Sequence, residues 1–448
     1  MTSSSEILGA TGLQTEFFQL VQTALYHADG MWGDATVDLY LRDLPPGHGY
    51  MVAAGIQEAI DSVIGLRFSD DDVDWLKEQP MYATLGDTFF DSLRHFQFSG
   101  DIWAVPEGTP VFPSAPIMRI TAPLPQVGLF EMLITQAVGC ASAVATNAAR
   151  MTQASGGRTV LDFGTRRVPG RSLAESAARA AYIGGCSGTT HALAARNLNV
   201  PVVGLISDTM LAAYEDVALA YDALSSHFPD GCHLNLPTEG PLDAIERFAR
   251  IHDKVQTVRV DHPNLAEISR EVRRRLDERG MSHTRILGSG SLDAQSIQML
   301  VAEDAPIDLF AVGQALTQGI TGTGPQLCYR MAALVRGTSP VPITGHWSAC
   351  WPGIKQVHRF VDHDLVCSEV ESPEQTLRGG VPLLRPIVEN GQPNGVPQEL
   401  KDIREHCART VAALPASVRR LSAPETLSVR PSSTIQDLAK TNTYPVNT

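Results

Sequence analysis

The feature that most limits the fold is a regular alternation between residues 159 and 313. Six short apolar segments recur: TVLDF (159–163), VPVVGLI (200–206), CHLNL (232–236), VQTVRVD (255–261), TRILGS (284–289) and IDLFAVG (307–313). Between them lie segments with apolar residues at helical spacing, near 173–196, 210–226, 240–251, 264–279 and 292–302. Apolar strands separated by helices belong to a parallel sheet covered on both faces. An open doubly wound sheet and a closed (β/α) barrel both satisfy the pattern. Each predicted strand ends in a small or polar cluster: FGTRR, ISDT, PTEG, DHPN, GSGS and VGQA. In a barrel these clusters meet on one face, where such folds keep their chemistry.

The flanks are less regular. Helical spacing covers 14–27, a strand pattern covers 35–45, and 100–123 reads as strand, turn, strand with prolines between. An Ala-rich helical stretch covers 129–155, and another helix is expected at 399–413. The segment after Ser422 is rich in Ser, Thr and Pro, which predicts a mobile tail at 421–448.

Composition removes some functions. The 448 residues are enough for two or three domains, with 43% hydrophobic and 19% charged residues, ordinary for a globular chain. A net charge of −14 argues against nucleic acid or anionic membrane as a partner, because binding either needs a basic face. No apolar run is expected to reach the roughly 20 residues of a membrane span. The N-terminus lacks a signal-peptide pattern. Seven cysteines without a C-x-x-C pair read as reduced thiols of a cytoplasmic protein, with neither a disulfide framework nor a metal site.

The strand-end clusters carry the candidate chemistry. Arg166 and Arg167 follow the first strand, and one of them is placed to grip a phosphate or carboxylate; a surface salt bridge is the competing role. In GGCSGTTH, small residues open a helix whose N–H groups suit an anion, and His191 sits in its first turn, more simply as a structural residue. Ser289, Gly290 and Ser291, then Gly313 and Gln314, form two consecutive small-residue turns of the kind that bind phosphate late in a barrel. In DHPN, Asn264 is a suitable N-cap with Glu267 completing a capping box, and Gly280 is a suitable helix stop.

In order and spacing, LPPGHGY, FSGDIWAVPEGTPVF, LDFGTRR, AAYIGGCSGTTHALAARNLNVPV, VRVD, GSGSLD, AVGQAL and PGIKQVHRF resemble the nicotinate phosphoribosyltransferase family over about 11–370. The resemblance implies an α/β fold: a (β/α) barrel of the type II phosphoribosyltransferase kind at 126–335. Beside it, segments 1–125 and 336–420 would form a second α/β domain. It also implies homodimers or higher oligomers with shared active sites. The family joins nicotinate to C1 of phosphoribosyl diphosphate and often couples this to ATP hydrolysis through a phosphohistidine. Arg166, Arg167, Gly188, Thr189, Asp261, Ser289, Gly290, Asp293 and Gly313 match family positions.

Other positions depart from it. Asp208 stands where the phosphorylated histidine is expected, and His262, Pro263 and Asn264 replace Ser-Gly-Asp. His191 ends Gly-Thr-Thr-His, Gln314 ends the last turn, Phe18 replaces a tyrosine facing the pyridine ring, and Ser348 replaces a basic residue. So many changes on one face predict a changed ligand. The leading expectation is a glycosyltransferase acting at the anomeric carbon of a diphosphate-activated sugar. The donor would be a small-molecule nucleotide sugar such as a GDP-octose, and the acceptor a thiol, thione or heteroaromatic such as ergothioneine. The thiol glycosyltransferase of lincosamide antibiotic assembly is a relative of this kind. Asp208, Asp261, His191 and His262 are the candidate catalytic residues. No cofactor is firmly implied, although a diphosphate donor would suit magnesium. A nicotinate phosphoribosyltransferase and a non-catalytic binding protein on the same fold are the alternatives.

Overall fold

The computed structural model describes residues 11–204, 207–228, 232–237, 240–247, 251–319, 324–336, 339–343, 350–369, 371 and 379–441. It divides into two compact units, one of residues 1–143 with 321–448 and one of residues 144–320.

In the second unit five parallel strands lie in the order Thr159–Asp162, Leu309–Val312, Arg285–Ser289, Thr257–Asp261, His233–Asn235. Two single bridges extend the series, Asp162 to Thr189 and Thr189 to Val202, both parallel. The pleat sends Arg259, Asp261, Leu287 and Ser289 to one face and Val258, Val260 and Gly288 to the other. Leu287, Leu309 and Ala311, with Leu161 and Phe163, fill that first face with an apolar layer.

Two expectations change here. The predicted strand 200–206 is reduced to the bridge at Val202, with residues 205 and 206 outside the described residues. The predicted helix 173–196 is two helices, Arg171–Ile183 and Ala192–Leu198, because GGCSGTT between them supplies the extra rung at Thr189. Gly184 permits this break: a Cβ there would sit 2.3 Å from the carbonyl oxygen of Ala145. The other helices are Asp208–Ala212, Val217–His227, Pro241–Glu246, Leu265–Glu278 and Ala294–Ala302.

The first unit holds a seven-stranded sheet. Its order is Ser339–Pro342, Gln326–Arg336, Asp34–Asp43, Pro116–Pro123, Asp101–Ala104, Arg385–Glu389, Gln392–Pro393. One side of Asp34–Asp43 buries Val37, Leu39 and Leu41 in a core with Ile120, Phe89 and Phe130. A four-stranded sheet pairs Lys355–Arg359 with His363–Ser368 and carries Ser428–Pro431 at its edge. Lys355 is buried with Asp38, Nζ to Oδ2 2.6 Å, and also donates to the carbonyls of Trp351 and Gly353.

The predicted mobile tail is not one up to Thr441. Val429 pairs with Asp364, the helix Ser433–Thr441 follows, and Ser432 donates to Glu371. Its Ser and Pro content marks a strand edge and a helix start. The apolar run excluded from sequence is present as well: Leu124–Ala154 is long and apolar enough to cross a membrane. More than half of its most apolar window is buried inside the protein, as in a core helix. The seven cysteines are in the thiol form.

Candidate active site at the strand ends

The C-terminal ends of three neighbouring strands are joined by one polar network. Arg259 Nε donates to Ser289 Oγ at 2.8 Å, and Nη2 donates to Asp261 Oδ2 at 2.5 Å. Its Nη1 reaches Asn235 Oδ1 at a longer 3.4 Å. Ser289 Oγ donates in turn to Asp261 Oδ2 at 3.1 Å. The strand geometry dictates this grouping, since Asn235 pairs with Arg259 and Asp261 pairs with Ser289 across the sheet. Asp261 Oδ2 therefore has two donors, while Oδ1 has no hydrogen-bond partner among the described residues. Gly290, at φ 111°, keeps the space beside Oδ1 open; a Cβ there would lie 2.9 Å from it. The ion pair is only partly buried, so its Coulombic gain is screened and its main effect is to fix geometry.

The next turn carries the first departure from expectation. Asn264 is the N-cap residue, but its side chain makes no cap and the capping box with Glu267 is not formed. His262 instead braces the turn before the helix: its Nδ1 accepts the Asn264 N–H at 3.0 Å. His191 is the N-cap of the helix Ala192–Leu198, with Nδ1 accepting the Ala194 N–H at 2.9 Å. A neutral imidazole whose Nδ1 accepts carries its proton on Nε2 and offers a donor there. Neither ring has a lone pair free for general base work in this arrangement. The helix stop was correctly placed. Gly280, at φ 73°, donates to Asp277 and Met281 donates to Leu276, the paired bonds of a Schellman ending.

Around the first strand a second set of turns converges. Thr165–Arg167 is a single 3-10 turn, and Arg166 and Arg167 are both exposed, with no ion pair among the described residues. The competing salt bridge is not formed among the described residues, and both arginines are exposed. Thr189 is 2% exposed and gives its hydroxyl to Asp162 Oδ2 at 2.7 Å, so that hydroxyl is committed within the fold. Asp162 itself is 2% exposed. Burial pushes its pKa up, against the opposing pull of Thr189, the Gly164 N–H and nearby His191. Ser291, at φ 51°, and Gly290 form a left-handed turn before Asp293, which caps the next helix through Ser296. Gly313 precedes the short turn Gln314–Thr317, and Gln314 is exposed.

Three further candidates lie outside this unit or outside the described residues. The Asp208 side chain and Ser348 lie outside the described residues, although Asp208 is the first residue of a helix. Phe18 belongs to the first unit, in the helix Phe17–Ala28, and is 55% exposed. Arg259, Asn235 and Asp162 were missed by sequence reasoning. The signal for Arg259 was available: a charge two residues before Asp261 in a buried strand shares its face. A groove of about 480 Å³ lined by Ile245, Glu246, Arg275 and Arg279 adjoins the C-terminal end of the helix Leu265–Glu278, opposite the DHPN turn. That end of a barrel carries stability, and its arginines are already paired with Glu246.

A barrel-type unit with polar strand ends, joined to a second unit made from both termini, defines a type II phosphoribosyltransferase. The model of the nicotinate phosphoribosyltransferase N-terminal domain matches residues 13–139, that of its C-terminal domain matches 368–439, and that of the quinolinate phosphoribosyl transferase C-terminal domain matches 144–321. A nicotinate phosphoribosyltransferase of Mycobacterium tuberculosis is 30% identical over 418 residues, 91% of this chain and 89% of that one. One of Bacillus subtilis is 29% identical over 362 residues, 78% and 73% of the two chains. The crystal structure of human nicotinic acid phosphoribosyltransferase shares the fold with a TM-score of 0.82 at 21% identity, covering 95% of this chain and 99% of that one. This chain therefore belongs to the nicotinate phosphoribosyltransferase family and is an enzyme of the pentosyltransferase class.

Proposed function

We propose that the enzyme substitutes at the anomeric carbon of a sugar whose leaving group is a diphosphate, and that its donor is a nucleotide sugar. The observation that carries this is the strand-end network, in which Asp261 is held through Oδ2 and offers Oδ1 beside the gap at Gly290. In the reaction the bond from C1 to the diphosphate oxygen breaks and its electron pair leaves on that oxygen. The sugar becomes oxocarbenium-like, and the Asp261 carboxylate stabilises it or orients its hydroxyls. The acceptor lone pair then closes on C1, and the acceptor proton passes to solvent. Leaving-group charge is met by Arg166 or Arg167, by the N–H groups at Ser289–Ser291 and Gly313, and by the Nε2–H donors of His191 and His262.

The changed residues support a donor and acceptor different from those named for the relatives. Asp208 is not a phosphoryl-accepting histidine, and Pro263 lacks the N–H that glycine would present. A thiol or thione acceptor such as ergothioneine needs little base, because sulfur is already nucleophilic. That agrees with two histidines whose Nδ1 atoms are occupied. A GDP-octose donor in antibiotic assembly fits this description. Among the described residues no group of three His, Cys, Asp or Glu is arranged to hold a metal. Magnesium would accompany a diphosphate donor, and Asp261 is the carboxylate of the strand-end network that would hold it. Active sites shared between copies of the chain belong to the same proposal.

A second reading, nicotinate with phosphoribosyl diphosphate, is favoured by the name of the 30% identical relative. One pair of incubations separates them, followed by mass spectrometry. Nucleotide sugars with thiol or heteroaromatic acceptors should give a glycoconjugate. Nicotinate, phosphoribosyl diphosphate and Mg-ATP should give nothing; formation of nicotinate mononucleotide would overturn the first reading. In either case Asp261→Ala should lower turnover on the order of 100-fold with the fold intact.

A further inference from the structure

We propose that Asp162 is a positioning residue for the diphosphate leaving group. It locks the FGTRR turn and the GTTH turn into the one arrangement that presents their donors to that anion. This rests on the reading above that the donor leaves as a diphosphate.

The carboxylate is shared between the two turns. Oδ1 accepts the Gly164 N–H at 2.7 Å, and Oδ2 accepts the Thr189 hydroxyl at 2.7 Å. The backbone of Asp162 ties the same two segments, donating to the Gly188 carbonyl at 2.9 Å and accepting from Thr190 N at 3.1 Å. Each turn then passes the constraint outward. Gly164 accepts from the Arg167 N–H at 2.8 Å, which closes the turn that carries both exposed arginines. Thr189 Oγ1 accepts from the His191 N–H at 3.1 Å, which sets the start of the helix that His191 caps. A third turn packs against the first: a Cβ at Gly164 would lie 3.0 Å from the Gly313 carbonyl oxygen and 3.3 Å from Asp162 Oδ1.

Only an ionised carboxylate can accept from two turns at once through two equivalent oxygens. An asparagine accepts through one atom and would force the Thr189 hydroxyl to reverse. Burying a charge to close a turn is costly, and an uncharged side chain would close either turn alone. Like charge also keeps Asp162 from touching the diphosphate itself. Its action is through Gly164 and Thr189.

The test is calorimetric titration of inorganic diphosphate into the full chain and its variants, with thermal unfolding beside it. Inorganic diphosphate reports on the leaving-group site whatever the sugar or acceptor. The wild type should bind. Asp162→Asn should bind at least tenfold more weakly with its melting temperature within a few degrees of wild type. Thr189→Val breaks the same bond from the other side and should weaken binding similarly. Thr189→Ser keeps the hydroxyl and should recover binding relative to Thr189→Val. If Asp162→Asn fails to fold, the Thr189 pair decides. Wild-type affinity in Asp162→Asn, or equal affinity in the two Thr189 variants, would leave Asp162 a fold residue only and overturn the inference. No binding by the wild type would instead sink the diphosphate reading on which it stands.

Discussion

At the scale of single residues, His262 shows how one position serves fold and site together. Its Nδ1 accepts the Asn264 N–H and closes the DHPN turn that leads into the helix Leu265–Glu278, which has no side-chain cap among the described residues. Replacing it by alanine should cost about 1 kcal/mol, the usual net contribution of one hydrogen bond. His262→Asn keeps a short acceptor and should recover most of that stability while losing the Nε2–H donor. Chemical unfolding and turnover measured on both variants check this. The Asn variant should be stable but at least tenfold slower; wild-type activity in that variant would make His262 a turn brace and nothing more. The legible residues here were those at strand ends, namely Asp261, Ser289 and His262. Arg259 and Asp162 were hidden because each lies inside or at the close of a segment that reads as apolar strand. Their partners, Asn235 and Thr189, are distant in sequence.

At the scale of elements, periodicity identified the strands Thr257–Asp261, Arg285–Ser289 and Leu309–Val312 because each is buried on both faces. The rung at Thr189 was not legible. A Gly- and Ser-rich run has no apolar alternation, and it joins the barrel by single bridges to Asp162 and Val202. The tail was misread for a related reason: Ser428–Pro431 is an edge strand, where proline is tolerated. The PGIKQ segment yields an element-scale prediction. Lys355 and Asp38 are each 1% exposed and paired at 2.6 Å. Removing one partner leaves a buried charge, which typically costs about 3–5 kcal/mol. Lys355→Met should therefore unfold at markedly lower denaturant concentration, and Lys355→Met with Asp38→Leu should recover part of the loss. A double variant less stable than the single would contradict this pairing.

At the scale of the whole molecule, three histidines tie stability to pH. Burial holds His233, His358 and His406 below the ordinary histidine value, with Arg285 helping at His233 and Arg409 and Arg385 at His406, and with Glu371 opposing at His358. A depressed histidine pKa means the unfolded chain takes up the proton first. Stability contributed by these groups is present above about pH 6.5 and is lost as pH falls through their folded-state values. Asp162, raised by burial, works in the opposite sense over a window above the usual carboxylate range. Melting temperature should fall between pH 7 and 5, and His406→Gln should flatten the fall. An unchanged slope in that variant would remove His406 from the account.

The family frame is kept in this chain while the residues at its strand ends are altered, so the central claim concerns what leaves C1. Phosphorus NMR of the reaction mixture observes that group directly. With a nucleotide sugar and a thiol or heteroaromatic acceptor, the account predicts loss of the sugar diphosphate signals and growth of free nucleoside diphosphate. With nicotinate and phosphoribosyl diphosphate it predicts an unchanged spectrum. Release of inorganic diphosphate in the second mixture, with none of the first reaction, would contradict it.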